Sequence, residues 1–284
     1  MSNRSSRLAP LRRFAFVAAL AASAVVAAAT SAEASTLPTV SIAVSPTAVT
    51  VGGSLQAGGA NVVSTATGVK ETSVILFLLK PGSTVAEVEA FANNKKASND
   101  PNQANKYGTI EFDAEVNPGP ANEAQTNLQA GQYVVLTGEG EKPVKVRTSF
   151  TVAASAAPAA VPTPQATVRS IEFGFRGPST LHDGELVRFE NEGFLVHMDV
   201  AFPVKNKSAG QAVVKALLAG KEKQIEKFVV GPPVTFAGPL SSGAYQQELV
   251  TAKPGWYVQA CFMETQDGRV HTRLGMERVI KIVK

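Results

Sequence analysis

GVKETSVILFLLK (Gly68–Lys80) and GFLVHMDVAFPVK (Gly193–Lys205) lie over one another without a gap when the chain is shifted by 125 residues. Each begins on Gly, ends on Lys and carries a largely apolar run between them. The same shift places Val88 on Val213, both in stretches of helical spacing. Further on, AGQYVVLT (Ala130–Thr137) lies over PGWYVQAC (Pro254–Cys261), now at a shift of 124. Self-similarity at a fixed period marks a duplicated structural unit.

Between the copies runs AASAAPAAVPTPQA (Ala153–Ala166), a Pro/Ala stretch that favours extended backbone and cannot build a core. It divides the chain into Ser35–Val152 and Thr167–Lys284, and such a linker predicts few contacts across it. In the first half TVSIAVS, SVILFLL, QYVVLT and RTSFTV are short β-branched runs bounded by Gly, Pro and Asn. TVRSIEFGF, ELVRFEN, VHMDVAF, QQELVTA, WYVQACF and ERVIKIV do the same in the second. Each half adds one helix. Thr84 and Glu87 have capping-box spacing ahead of Val88 and Phe91. Gln211–Ala219 places Val213 and Val214 four residues before Leu217 and Leu218. Many short strands with Gly/Pro turns predict an all-β chain with one short helix per half, arranged as two β-sandwiches.

The N-terminus predicts the compartment. Arg4, Arg7, Arg12 and Arg13 precede an apolar run from Phe14 to about Ala29, and Ser31-Ala32-Glu33-Ala34 supplies a small-x-small pattern. This reads as a secretory signal peptide over residues 1–34, cleaved after Ala34, leaving a secreted protein with no membrane span. Whether export uses the general or the twin-arginine route stays open. Of 27 Lys+Arg and 23 Asp+Glu, the leader takes four arginines and Glu33, which leaves 23 against 22. A near-neutral mature chain without a basic patch argues against nucleic acid as a partner.

The halves differ in chemistry. Ser35–Val152 holds no His, Cys, Met or Trp. All three histidines (His182, His197 and His271), the one cysteine Cys261, and Met198, Met263 and Met276 lie in the second half. A single thiol makes no internal disulfide, so in an oxidising compartment it is buried, paired with another chain, or bound to something. Thiolate, thioether and imidazole together suit copper better than hard cations.

At these residues the second half resembles the cupredoxin, or blue-copper, domain. LVRFENEGFLVHMDVAF is similar to the strand–loop–His stretch carrying that family's first ligand, here His197. PGWYVQAC resembles its late strand, with Tyr257 four residues before the ligand Cys261. HTRLGM has the family's His-x4-Met ending, here His271 and Met276. The similarity covers most of Thr167–Lys284. Ser35–Val152 resembles a copy without ligands, with Thr72 at the place of His197 and Thr137 at that of Cys261. The resemblance implies tandem Greek-key sandwiches. It also implies one mononuclear copper site made by His197, Cys261, His271 and Met276, and a non-enzymatic one-electron carrier meeting a redox or surface protein partner. The alternative from a different class is a metal-free extracytoplasmic interaction module. Three histidines are too few for a multicopper oxidase.

Three local features bear on that implication. Nine residues separate Cys261 from His271, and QDG (Gln266–Gly268) predicts a tight turn folding the extra length back. Met198 stands where many members carry Asn, and it cannot make that residue's bracing hydrogen bond. Alternation in VHMDVAF puts His197 on one face with Asp199, expected at the surface, unless a strand end or a bulge intervenes. His182, before Asp183-Gly184, reads as a loop residue and Trp256 as core. Phe262 and Met263 are candidates for tuning the site.

Overall fold

The computed structural model describes residues 37–94, 100–138 and 144–284. The leader read from residues 1–34 lies outside the described residues. The first half contributes β1 (Thr39–Val44), β2 (Val49–Gly53), β3 (Gly58–Ala66), β4 (Thr72–Leu79), α1 (Val85–Asn93), a 3-10 turn (Pro101–Lys106), β5 (Gly108–Val116), β6 (Asn122–Leu128), β7 (Gly131–Gly138) and β8 (Lys145–Val152). The second contributes β9 (Ala166–Ile171), β10 (Gly174–Arg176), β11 (Thr180–His182), β12 (Leu186–Asn191), β13 (His197–Val204), α2 (Lys207–Leu218), β14 (Val234–Leu240), β15 (Tyr245–Leu249), β16 (Gly255–Ala260), a 3-10 turn (His271–Leu274) and β17 (Glu277–Val283).

Strand order repeats with the sequence. The first half has β5-β4-β7-β8 in one sheet, and the second has β14-β13-β16-β17 with β11 on the far edge. The other layer runs β2-β1-β3-β6 in the first half and β10-β9-β12-β15 in the second. In both, the first strand runs parallel to the third element of the order, β1 to β3 and β9 to β12.

Packing explains the continuous apolar runs. In β4, Val74 and Leu76 face the first half's inner core with Ile42, Val62, Phe112 and Tyr133. Phe77 and Leu79 face outward into a second cluster beneath α1, with Val88 and Ala92. The second half repeats this. Phe189, Phe236 and Ile280 fill the space between sheets, while Val204, Val258 and Ala260 pack under Val213 and Leu217 of α2. A strand buried on both faces shows no alternation.

The helix starts follow side-chain chemistry. Thr84 Oγ1 accepts from the Glu87 N–H at 3.2 Å, and Glu87 returns the bond to the Thr84 N–H at 2.8 Å. Thr84→Ala is expected to cost about 1 kcal/mol and to lower Tm by about 2–4 °C in a scan of the intact protein. An unchanged Tm would mean this helix end frays independently of the rest. In α2, Asn206 caps the Ala209 N–H at 2.9 Å, so the helix begins four residues before the expected Gln211. Gly210 disguises that first turn. A Cβ there would meet Val279 at 3.0 Å, so a side chain would press on the sheet and need Val279 to shift. Trp256 is half-buried and packs at the margin of the cluster under α2, with Lys207 and Lys281 over its ring at 5.9 and 5.5 Å.

The expectation of few contacts across the linker is corrected. β6 and β15 lie side by side, with Gln125 opposite Gln247, joining one layer of each half into an eight-stranded sheet. The Gln247 amide donates to Gln125 at 2.9 Å. Thr126 Oγ1 donates to the Tyr245 carbonyl at 2.7 Å, and Ser241 exchanges bonds with Ile110. Glu115 accepts from Thr235 at 3.1 Å, and the Asp113 N–H donates to Gln246 at 3.3 Å. The physical reason is that each half leaves a polar strand edge whose backbone and side-chain groups need partners. The linker is laid on the first half rather than standing clear. The Gly59 N–H bonds the Ala159 carbonyl at 2.6 Å, and a Cβ on Gly59 would lie 2.8 Å from the Val161 nitrogen. No helix among the described residues is long and apolar enough to cross a membrane.

Candidate metal centre

His197 opens β13, and Cys261 follows the last residue of β16, its neighbour in the sheet. His271 begins the 3-10 turn that leads to Met276 and β17. Cys261 Sγ lies 3.8 Å from His197 Nδ1 and 3.4 Å from His271 Nδ1. One sulfur and two nitrogens from these residues all fall within 4.8 Å of one another. Cys261, His271 and Met276 are fully buried, and His197 is 1% exposed.

The long Cys–His loop folds back as its QDG turn predicts. Glu264 and Val270 form an antiparallel bridge, the Gly268 N–H bonds the Thr265 carbonyl at 2.8 Å, and Gly268 takes the positive φ of 76° that the turn requires. The His271 N–H closes this small hairpin on the Met263 carbonyl at 2.8 Å. The insertion therefore spends its length outside the centre and returns His271 to the cysteine. Gly275, left-handed at φ 99°, then turns the chain. Met276 donates its N–H to the His271 carbonyl and accepts from the Cys261 N–H, both at 3.1 Å. The methionine is thereby tied through its backbone to two members of the cluster, with its side chain buried.

The exposed face expected for Asp199 and His197 is corrected. Both are buried. Register shifts between β13 and β14 at His197/Asp199 and Asp199/Val200 mark an irregularity there, and such bulges re-aim side chains. Asp199 accepts from the Gln259 amide. Burial raises its pKa to about 7, against the pull of Arg278 and Gln259. The loop reading of His182 is corrected: it is the last residue of short β11, paired with Val283 of β17, and its side chain is exposed.

The electrostatics keep the metal-free cluster neutral. Burial pushes the Cys261 thiol up to about 12, against the N–H groups of Met198 and Met263, which favour the thiolate. The Met198 N–H points at the sulfur at 3.4 Å. Burial lowers both imidazoles to about 4. Neutral imidazoles and an ionisable thiol are what a soft cation needs. The Nε2 atoms of His197 and His271 are buried without hydrogen-bond partners, and the Nδ1 atoms are the ones that face the sulfur. The donor set fits a copper ion.

Residues that the sequence did not single out roof the centre. The two-residue tip of the β9–β10 hairpin is Glu172–Phe173. Glu172 Oε1 lies 3.7 Å from His197 Nε2, too far for a hydrogen bond and an ion pair only when the ring is protonated. The Phe194 and Leu195 N–H groups hold that oxygen. The Phe173 ring meets His271 edge-on, centroids 5.3 Å apart. Phe173 is the one non-glycine residue with positive φ among the described residues, at 60°. A phenylalanine there costs about 1–2 kcal/mol, so the backbone is bent to aim this tip. Gly193 admits the roof: a Cβ would lie 2.5 Å from Glu172 Oε1 and 2.7 Å from His197 Nε2. The duplication, which sets Gly193 on Gly68, is the only sequence signal that marks it.

No family model matches this chain, and no curated protein does. Solved structures similar to it include auracyanin B, at 20% identity over 43% of this chain and 92% of that one, with a TM-score of 0.27. An auracyanin from Roseiflexus castenholzii has 14% identity over 42% and 95%, with a TM-score of 0.26. A Cu-containing nitrite reductase from Thermus scotoductus has 13% identity over 87% and 68%, with a TM-score of 0.25. The character of the centre rests on its own side chains and their distances.

Proposed function

We propose that this chain is a secreted copper-binding protein built as two tandem Greek-key sandwiches, with one type 1-like mononuclear site. The carrying observation is the convergence of Cys261 Sγ on the Nδ1 atoms of His197 and His271 at 3.8 and 3.4 Å, with all three side chains buried. Met276, buried and tied by its backbone to His271 and Cys261, would offer a weak thioether donor to copper held there. Copper bound there would supply a one-electron Cu(II)/Cu(I) couple. The protein's part is to hold one imidazole and the thiolate at two neighbouring strand ends and the second imidazole on a 3-10 turn, so that little rearranges on electron exchange, and to keep water out. Glu172, Phe173 and Gly193 close the side of both imidazoles, which favours an electron carrier over an enzyme that admits substrate to the metal. The Ala34 cleavage motif supports export, and a redox or surface protein is the expected partner.

Adding Cu(II) to purified mature protein is expected to load one equivalent and give an intense visible colour, blue, green or red. Azide should leave that spectrum unshifted. A colourless or multi-site titration would favour a metal-free interaction module. An azide-shifted band would mean an open coordination position.

A further inference from the structure

Asn102 belongs to the first half, in the 3-10 turn Pro101–Lys106, yet its buried amide reaches both loops of the copper centre. Its Oδ1 accepts from the Val196 N–H at 2.6 Å. Its Nδ2 donates to the Glu264 carbonyl at 3.3 Å and to Asp100 Oδ1 at 2.9 Å. Val196 directly precedes His197. Glu264 bridges across the hairpin to Val270, which directly precedes His271. One side chain thus holds the residue before one imidazole and the rung beside the other. Packing agrees. Val196 and Met263, from the two loops, sit in the apolar cluster of the first half beneath α1, with Phe77, Leu79 and Ala104.

We infer that the ligand-free first half acts as a template for the copper site, with Asn102 as the positioning residue that sets the spacing of the two imidazoles. The inference rests on the copper reading and adds a role for the half that carries no ligands. Met198, beside His197, has no amide with which to brace these loops, and Asn102 supplies the brace from another part of the chain. The amide cannot be exchanged for a carboxylate. Its Nδ2 faces two acceptors, the Glu264 carbonyl and the Asp100 carboxylate, so an aspartate oxygen there would be repelled by both.

The test compares wild type with Asn102→Ala, Asn102→Asp and, as a surface control, Asn117→Ala, all as the full mature chain. In metal-free protein, labelling of Cys261 by a disulfide reagent reports opening of the loops. Losing the hydrogen bonds to Val196 and Glu264, and the one to Asp100 with them, should speed it roughly tenfold or more in Asn102→Ala. In copper-loaded protein, Cu(II) affinity should fall about 10- to 100-fold. The visible band and the electron-paramagnetic hyperfine splitting should shift, which a merely stabilising residue would not cause. Asn102→Asp should be worse on each readout and Asn117→Ala unchanged. Labelling and spectrum both unchanged in Asn102→Ala, with wild type coloured, would overturn the inference and leave the copper reading intact. Faster labelling with no colour in wild type would uphold the brace and sink the copper reading. Should Asn102→Ala not fold, Asn102→Ser, whose hydroxyl cannot span both loops, carries the same comparison.

Discussion

Replacing Cys261 by serine is expected to abolish the intense visible band of the copper-loaded protein and to weaken Cu(II) binding by more than about 100-fold, while the sandwich stays folded. The band would arise from charge transfer out of a thiolate, and Cys261 is the only cysteine in the chain. Serine cannot replace it electronically, because a buried hydroxyl does not ionise near neutral pH. Sterically it nearly can. The Met198 N–H that points at the sulfur would find an oxygen in its place, and strands β13 and β16 keep their backbone ladder through Val200 and Ala260. Loss of colour with an unchanged far-ultraviolet dichroism spectrum is therefore the expected pair of results. A band that survives the substitution would place the copper elsewhere. Exposed His182 is the one histidine outside the cluster.

Much of this centre was legible in the residues, and the limits of that legibility are physical. Soft donors confined to one half single out His197, Cys261 and His271, the residues that the fold brings together, because few other chemistries combine thiol and imidazole, and the Tyr-x3-Cys and His-x4-Met spacings entered through the family resemblance. The QDG turn was readable for the same local reason. Strands β4, β7, β13 and β16 announce themselves as apolar runs, since they lie at the centre of the small sheets with packing on both faces. Strands β5 and β6 do not. GTIEFDAEV and NEAQTNL carry acids and amides that look like solvent-facing chemistry. They become intelligible only when β14 and β15 of the other half lie against them, where Gln125, Asp113 and Glu115 find Gln247, Gln246 and Thr235. Asp199 misled for the same reason, because Gln259 and Arg278 come from strands distant in sequence. The Glu172–Phe173 roof and the Asn102 brace are likewise contacts between segments far apart in the chain, which no local pattern encodes.

Affinity for Cu(II) is expected to rise about tenfold per pH unit between pH 5 and 8, a thousandfold overall. The slope follows from the metal-free protonation states. Burial, only partly opposed by the Met198 and Met263 N–H groups, holds the Cys261 thiol near 12, so it keeps its proton throughout that range. Burial lowers His197 to about 4, against the upward pull of Glu172. His271 falls to about 4 by burial first and by the charge of His197 second. Both rings are thus already neutral above pH 5 and release nothing when a cation arrives. Binding expels one proton, from the thiol, and the logarithm of the affinity gains one per pH unit. Below pH 4 the imidazoles hold protons as well, three must leave, and the slope should steepen toward three. Competition against a chelator of known proton linkage, at constant ionic strength, measures this directly. A flat profile from pH 5 to 8 would mean that the sulfur does not bind or is ionised beforehand. A slope of two would mean that one imidazole stays protonated, contrary to the dry surroundings that the Glu172–Phe173 tip and Gly193 give the pair.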